Sequence, residues 1–405
     1  MTASENRRVL ISGASIAGLS AAYWLDRTGW DVTVLERSPV FREGGQNVDV
    51  RGVAREVLDR MGLTDAVRAA NTTETGTVIV DERGDTIVRL PDDEGGEEAT
   101  AELEVLRGDF ARVIRDALPA SVQIEYGQTI TGVAGTTPAA GPVTVRTASG
   151  DEFSADLLVV AEGVRSSTRD LVFGDEAEQR RVGVTMVFGT IPRIDSDDDR
   201  WSWYNAVGGR QVHLRPDNHG TTRAMFAYTS GPDDDPSGST GSTGSLRSLR
   251  DRYADAGWQT PRVLDGFDAS DDVYVDDLTQ IVAPRWHDGR AVLLGDAAWC
   301  VTPMGGGGSS LALTGGYVLA ASLSTGEIET GLAGYEGWMR PLVDRIQTMP
   351  KGVTTFAYPQ TAFGLQLQRA AHHVLTSRPV APLMARLIRI ADADRPLPEL
   401  VPHHR

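Results

Sequence analysis

Residue types that could do chemistry first gather in a short glycine-flanked turn near the start of the chain. The segment Gly13-Ala14-Ser15-Ile16-Ala17-Gly18 follows the apolar run Val9-Leu10-Ile11 and opens a helix-like stretch from Ala17 to about Arg27. A second apolar run, Val32-Thr33-Val34-Leu35, ends at Glu36, with Arg37 beside it. Strand, turn, helix, strand is the order in which a dinucleotide is held. Glycine at 13 permits the tight turn, and Gly18 lets the helix pack closely on the strand. The free N–H groups at the helix start, around Ile16 and Ala17, then face a pyrophosphate. Glu36 stands where a carboxylate accepts from a ribose 2′-OH, which also disfavours a 2′-phosphate in that pocket. Ser15 replaces the middle glycine and is small enough to keep the approach close.

Two later patches extend the same ligand. The first is VVAEGVRSSTR at Val159–Arg169, with Glu162-Gly163 at its centre; the second is LLGDAAWCVTPMGGGG at Leu293–Gly308. In the latter, Ala291-Val292-Leu293-Leu294 reads as a buried strand that delivers Gly295-Asp296 to its C-terminal end, where ligands of α/β sheets collect. Asp296 is placed to accept from a ribityl hydroxyl. Pro303 and Gly305–Gly308, with Gly306, Gly307 and Gly308 central, form a loop whose bare backbone can touch an aromatic ring. Ser309-Ser310 can cap the helix from Leu311 to about Leu323. The positive end of that helix then points at a pyrimidine edge, where negative charge gathers on reduction. Taken together, the three patches fit a single FAD laid across most of the chain. Its attachment is read as non-covalent, because Cys300, the sole cysteine, has no evident partner.

The elements around these patches suggest a second sheet. Thr77–Leu90 reads as a hairpin turning at Arg83-Gly84. Strand-like stretches follow at Val182–Ile191, Arg200–Val207, Gln211–Leu214 and Arg223–Thr229. Their aromatic and amphipathic groups, Phe188, Trp201, Trp203, Tyr204, His213, Arg215, Met225 and Phe226, are candidates for a pocket wall. Strand alternation predicts that at most about half of them share a face. Trp299 and Met304, in the glycine loop, are further candidates to shape the substrate cavity. Arg51, in Asn47-Val48-Asp49-Val50-Arg51-Gly52, reads either as a group near the flavin ring or nicotinamide or as a surface arginine before a helix. Gly231–Ser245 reads as an acidic, Gly/Ser-rich loop, and Leu365–Ala391 as an amphipathic bracing helix.

Composition narrows the class. The chain has 405 residues and a formal charge of −17, which argues against nucleic acid and anionic membranes as partners. The start lacks a signal-peptide core and no apolar run is long enough for a bilayer, so a cytoplasmic location is expected. None of the seven histidines has a partner at triad or metal-ligand spacing, so no metal is expected.

From about Val9 to Leu342 the sequence resembles the single-component flavoprotein aromatic hydroxylases, the para-hydroxybenzoate hydroxylase type. Within them it is most similar to the bacterial group that includes tetracycline-inactivating monooxygenases. The resemblance rests on the glycine-rich start, the stretch Gly44–Gly62, Leu106-Arg107-Gly108-Asp109-Phe110, the pair Glu162-Gly163 and Gly295-Asp296. It implies that Arg107 contacts the FAD and that NAD(P)H is a transient co-substrate. It further implies that O2 forms a flavin C4a-hydroperoxide whose distal oxygen hydroxylates an aromatic or polyketide-like small molecule. The implied fold is α/β. A Rossmann-like FAD-binding domain (1–73, 101–175 and 283–345) is interleaved with a β-sheet substrate domain (74–100 and 176–282). A C-terminal helical segment (346–405) follows, in a monomer or homodimer. Glu162 replaces the usual aspartate, Trp299 the usual histidine, and Gly307 and Ser310 stand where Gln and Asn are frequent. These departures leave open an oxidase, reductase or epoxidase on the same scaffold, or a silent FAD-binding protein that sequesters a ligand.

Overall fold

The computed structural model describes residues 7–90, 103–137, 139, 141–231, 241–348, 352–375 and 396–403. It begins with β1 (Arg8–Ser12), α1 (Ile16–Arg27), β2 (Asp31–Glu36), β3 (Asn47–Asp49), α2 (Val53–Met61), α3 (Thr64–Ala69), β4 (Thr77–Val80) and β5 (Thr86–Arg89). Next come β6 (Glu104–Leu106), α4 (Arg107–Asp116), β7 (Gln123–Tyr126), β8 (Ile130–Ala134), β9 (Val143–Thr147), β10 (Glu152–Ala155), β11 (Leu157–Val160) and α5 (Ser167–Phe173). Then β12 (Glu178–Pro192), β13 (Trp201–Ala206), β14 (Arg210–Pro216), β15 (Thr221–Thr229), α6 (Gly241–Arg252), α7 (Thr260–Asp268) and β16 (Tyr274–Val282) follow. The chain continues through β17 (His287–Asp288), β18 (Ala291–Leu293), α8 (Asp296–Trp299), α9 (Thr302–Gly305), α10 (Gly308–Leu323), α11 (Ile328–Gln347), α12 (Val353–Ala357) and α13 (Ala362–Leu375).

Two sheets dominate. The first has the order β17-β18-β11-β1-β2-β7, parallel except for the short β17. Its central strands β11 and β18 are buried along their whole length, as expected when helices cover both faces. On one face α1 and α10 lie directly against each other. A methyl on Gly316 would sit 2.5 Å from the Ser20 hydroxyl oxygen, and that hydroxyl donates to the Leu313 carbonyl at 2.7 Å. Small residues therefore set the helix spacing, and both helices bury nearly all their side chains.

The second sheet has the order β16-β12-β15-β14-β13-β4-β5 and is antiparallel except between β13 and β4. The Thr77–Leu90 hairpin is present as β4 and β5, with Gly84 at φ +92° in its turn. One face of the sheet, carrying Val187, Tyr204, Val212 and Phe226, is closed by Tyr253 of the segment after α6 and by Leu264 and Phe267 of α7.

Two sequence expectations change here. Gly241–Ser245, read as loop, opens α6, while residues 232–240 lie outside the described residues. Of the tail helix read over Leu365–Ala391, α13 accounts for the part up to Leu375, and residues 376–395 lie outside the described residues. Among the described residues, no helix is long and apolar enough to cross a membrane.

Candidate active site

The three glycine-rich patches converge at the C-terminal edge of the parallel sheet. Gly13 leaves β1 with φ +109°, and a Cβ there would lie 2.5 Å from the Ala161 carbonyl oxygen at the end of β11. At Gly18 the added atom would stand 1.9 Å from the Gly13 oxygen, and at Gly295 it would meet the Ala17 methyl at 2.8 Å. The first patch is thus pressed on the second through backbone, and the third meets the first at the Ala17 methyl. Ser15 is exposed at the N-cap of α1 and makes no side-chain cap bond, so its hydroxyl and the first-turn N–H groups of Ile16, Ala17 and Gly18 remain open to a ligand.

The carboxylates divide into two kinds. Glu36 accepts from the Ala14 and Ser38 N–H groups, both at 2.8 Å, which pins it beside the turn; Arg37 next to it is exposed. Glu162 is consumed internally. It accepts from the Ser12 hydroxyl at 2.5 Å, the Ser166 hydroxyl at 2.7 Å, and the Thr168 hydroxyl and N–H at 2.6 and 3.0 Å. Its carboxylate clasps the ends of β1 and β11 to the start of α5, and what this patch offers outward is the Gly163 backbone. Sequence reading gave no role to Arg169, which is 1% exposed and donates to the carbonyls of Val164 and Ala297. That single guanidinium ties the second patch to the third.

Asp296 opens α8 behind Gly295 (φ +66°). Burial raises its pKa, and the nearby charge of Arg107 pulls it back down. Arg107 opens α4, and its charge also acts on Asp276 and Tyr274 of β16. Asp276, raised by burial and countered by Arg165 as well as Arg107, had no motif to mark it in the sequence. Its position emerges only from strand pairing.

The glycine loop departs from the sequence expectation at its exit. Gly306 (φ +64°) ends α9 and Gly307 (φ +73°) is the N-cap of α10, which begins at Gly308; Ser309 and Ser310 lie inside its first turn and do not cap it. Ser310 instead donates to the Asp49 carbonyl and accepts from the Arg51 N–H, both at 3.0 Å, strapping Arg51 to the helix start. The Arg51 side chain pairs with Asp49 at 2.6 Å and is 44% exposed. Pro303 sits in the first turn of α9 behind Thr302, a buried threonine at φ +63° whose hydroxyl has no partner. The side chain of Met304 lies outside the described residues.

Trp299 belongs elsewhere. It is 1% exposed and packs against Trp286 with ring centres 4.5 Å apart and against Tyr335 at 6.2 Å, on the α10–α11 side of the loop. The side chain is part of the parallel-sheet core. Cys300, also buried, has its thiol pushed up by burial.

Across the antiparallel sheet, strand register assembles one face from residues scattered in sequence. Trp203 pairs with His213, His213 with Met225, Met225 with Phe188 and Phe188 with Tyr274. Trp201 and Arg215 flank this row, the guanidinium lying 3.7 Å from the Trp201 ring centre. Trp201, Trp203, His213, Arg215 and Met225 thus share a face, more than the half expected from alternation, because their strands are paired in phase. Tyr204 and Phe226 point into the opposite core. The Trp201 indole N–H donates to His213 Nδ1 at 3.2 Å, and His213 Nε2 donates to Gln211 Oε1 at 3.1 Å. Burial and Arg215 hold the imidazole neutral, with its pKa lowered to about 3. The row stacks Trp203 on His213 at 5.0 Å and Phe188 on Tyr274 at 5.0 Å.

The residues present fit a flavin dinucleotide. A Cβ on Gly163 or Gly306 would meet nothing within 4 Å, so open space stands before those backbones, while Gly13, Gly18 and Gly295 hold the surrounding wall. Comparison with known proteins agrees. The family described as FAD binding domain matches residues 6–336. The chain is 34% identical over 395 residues to the flavin-dependent monooxygenase eupH of Phoma sp, spanning 89% of each. It is 32% identical over 394 residues to monooxygenase CTB7 of Cercospora beticola, spanning 92% of this chain and 93% of that one. Its fold superposes on tetracycline destructase Tet(51) with a TM-score of 0.79 and 26% identity, covering 97% of this chain and 99% of the other. The chain belongs to the FAD-dependent monooxygenases of the aromatic hydroxylase type.

Proposed function

We propose that this monooxygenase uses NAD(P)H and O2 to hydroxylate an aromatic or polyketide-like small molecule. One observation carries the reading: β16, whose Tyr274 pairs with Phe188 at the end of the aromatic sheet face, runs on to Ile281 and Ala283, whose N–H groups donate to the Cys300 and Ala298 carbonyls of the cofactor patch. A ring bound on that face would therefore stand beside the flavin. When bound, FAD would supply redox chemistry in which two electrons from NAD(P)H and one O2 yield one oxygen atom in the substrate and one in water.

The chain's own residues bind, orient and exclude water. Ser15 and the first-turn N–H groups of Ile16, Ala17 and Gly18 receive the pyrophosphate, and Glu36 with Arg37 faces the adenosine ribose. Asp296 and Arg107 hold the ribityl chain, with Gly163 giving the second patch its approach. Pro303, Gly306, Gly307, Gly308 and Ser309 lay backbone and the start of α10 against the ring edge that gains negative charge, and Arg51 stands beside it. The aromatic face made of Phe188, Trp201, Trp203, His213 and Met225 gives the substrate a dry wall. We place the FAD-binding domain at 1–73, 101–175 and 283–345, the substrate domain at 74–100 and 176–282, and a C-terminal segment at 346–405. The protein works in the cytoplasm, on a small molecule, as a monomer or homodimer.

The test is turnover with isotopically labelled O2. Purified protein should retain FAD, consume NAD(P)H faster when a suitable ring compound is present, and place one labelled oxygen in the product. Bound FAD whose NAD(P)H consumption no ring compound accelerates, with no labelled product, would overturn the reading.

A further inference from the structure

The sheet face that we read as the substrate wall carries two cations, and neither is available to a ligand. Arg215 donates through Nε to Glu74 at 2.9 Å and through Nη2 to Glu104, two carboxylates against one guanidinium. Its flat side is covered by the Trp201 ring. The arginine side chain is 14% exposed, and those of Glu74 and Glu104 are 7% and 4% exposed. Arg223 meets the same fate, with Asp217 at 3.0 Å and Asp272 at 3.3 Å. Even with one carboxylate of each group protonated, no net positive charge is left over. Asp49 adds a further negative charge near Arg215.

Asp276, opposite Met186, adds a carboxylate to this face, and the row from Trp203 to Phe188 is neutral. His213 accepts from Trp201 and donates to Gln211, so both ring nitrogens are committed and the ring carries no charge near neutral pH. Phe188 and Met225 are apolar. The Trp203 indole N–H is buried without a partner, and so is the Asn205 side-chain oxygen one step along β13 on the same face. A donor and an acceptor thus stand unused among aromatic surfaces. Arg51 is paired with Asp49. Arg107 and Arg165 are exposed at the cofactor end, where their charge opposes the effect of burial on Asp276.

We propose that this site selects uncharged ring compounds bearing hydroxyl or keto groups and rejects aromatic carboxylates. The inference rests on reading this face as the substrate wall. A neutral ring gains stacking on Trp203 and Phe188 and can satisfy the orphan N–H. A carboxylate would give up its hydration beside Glu74, Glu104, Asp217 and Asp272, with both guanidiniums of this face already paired.

Matched probes decide it. The FAD-loaded protein is titrated with naphthol against naphthoate, and with para-hydroxyacetophenone against para-hydroxybenzoate, following the bound-flavin absorbance. The neutral member of each pair should bind at least about tenfold more tightly. In the E74Q/E104Q double variant Arg215 loses both counter-charges, and the carboxylate should then gain about tenfold or more while the neutral partner changes little. If that variant fails to retain FAD, E104Q alone is used, and the carboxylate should still gain by about threefold. Carboxylates that bind the parent as tightly as their neutral partners would overturn the proposal. So would pairs in which neither member perturbs the flavin. Turnover is scored separately: neutral compounds that bind without being oxygenated refute the monooxygenase reading and leave charge selection standing. Carboxylates that bind well and are hydroxylated do the reverse.

Discussion

At Gly18 one added methyl would stand 1.9 Å from a backbone oxygen, whereas at Trp203 the surroundings are other side chains, His213 and Trp201, brought there by register. The cofactor region is limited by main chain packed on main chain, and very few residue types satisfy it. The sheet face is limited by what neighbouring side chains donate, accept and neutralise, and many combinations would satisfy the same strands. A shared scaffold can therefore hold one cofactor while the wall opposite it varies in charge and hydrogen bonding.

The largest expected effect breaks the cofactor side. Gly18→Val puts a branched side chain where not even a Cβ fits, so α1 must leave the sheet. We expect a loss on the order of 3 kcal/mol or more, together with loss of FAD. Thermal unfolding and flavin content of the purified variant are the measurements. A variant with the parent's stability and colour would show that the turn is looser than its backbone contacts imply.

Trp299→His comes next and tests which region Trp299 serves. Packed on Trp286 and Tyr335 at 1% exposure, it should cost about 3 kcal/mol through lost burial and a partly unfilled cavity. The ligand preference of the protein that remains folded should be unchanged. Unaltered stability with an altered set of ring compounds would return Trp299 to the substrate wall.

These two positions also mark what the sequence makes legible. Gly13 and Gly18 announce themselves because a backbone contact leaves one residue type, Gly295 because its φ is positive beside the Ala17 methyl, and the spacing to Glu36 and Asp296 follows from a fixed strand–turn–helix geometry. Trp299 could not be placed, because a tryptophan beside a ligand loop is equally suited to the core behind it. Glu162 was recognisable as a carboxylate at the right point, but Ser12, Ser166 and Thr168, which absorb it, meet it only through the fold. Arg215 shows the same limit more sharply. Its type suggests anion binding, and the carboxylates that cancel it come from positions 74 and 104, more than a hundred residues away.

Arg215→Met breaks the sheet-face side. It leaves Glu74 and Glu104 buried without their counter-charge, and we expect a loss of about 3 kcal/mol near neutral pH. The loss should shrink in acid, where both carboxyls can be protonated. Urea unfolding at about pH 5 and about pH 8 measures it, and an equal loss at both would mean that the carboxylates are better solvated than their burial indicates.

The smallest effect is also the most specific to this cluster. Burial, with Glu74 and Asp49 nearby, raises Glu104 from 4.5 to about 7 despite Arg215. A carboxyl whose folded pKa lies above its unfolded value binds its proton more tightly when folded. Its contribution to stability is therefore complete below about pH 4.5 and is lost as pH rises through about 7. Glu104→Gln removes that titration while keeping the volume and the Arg215–Glu74 pair. The parent's advantage over the variant should accordingly be greatest near pH 5 and shrink by roughly 1–3 kcal/mol toward pH 8. Groups elsewhere titrate alike in both proteins and cancel in the difference. Urea midpoints across this range give the curve. A difference that stays constant would mean Glu104 is already ionised throughout, and a difference that grows with pH would mean the Arg215 pair outweighs burial and holds the carboxyl below its ordinary range.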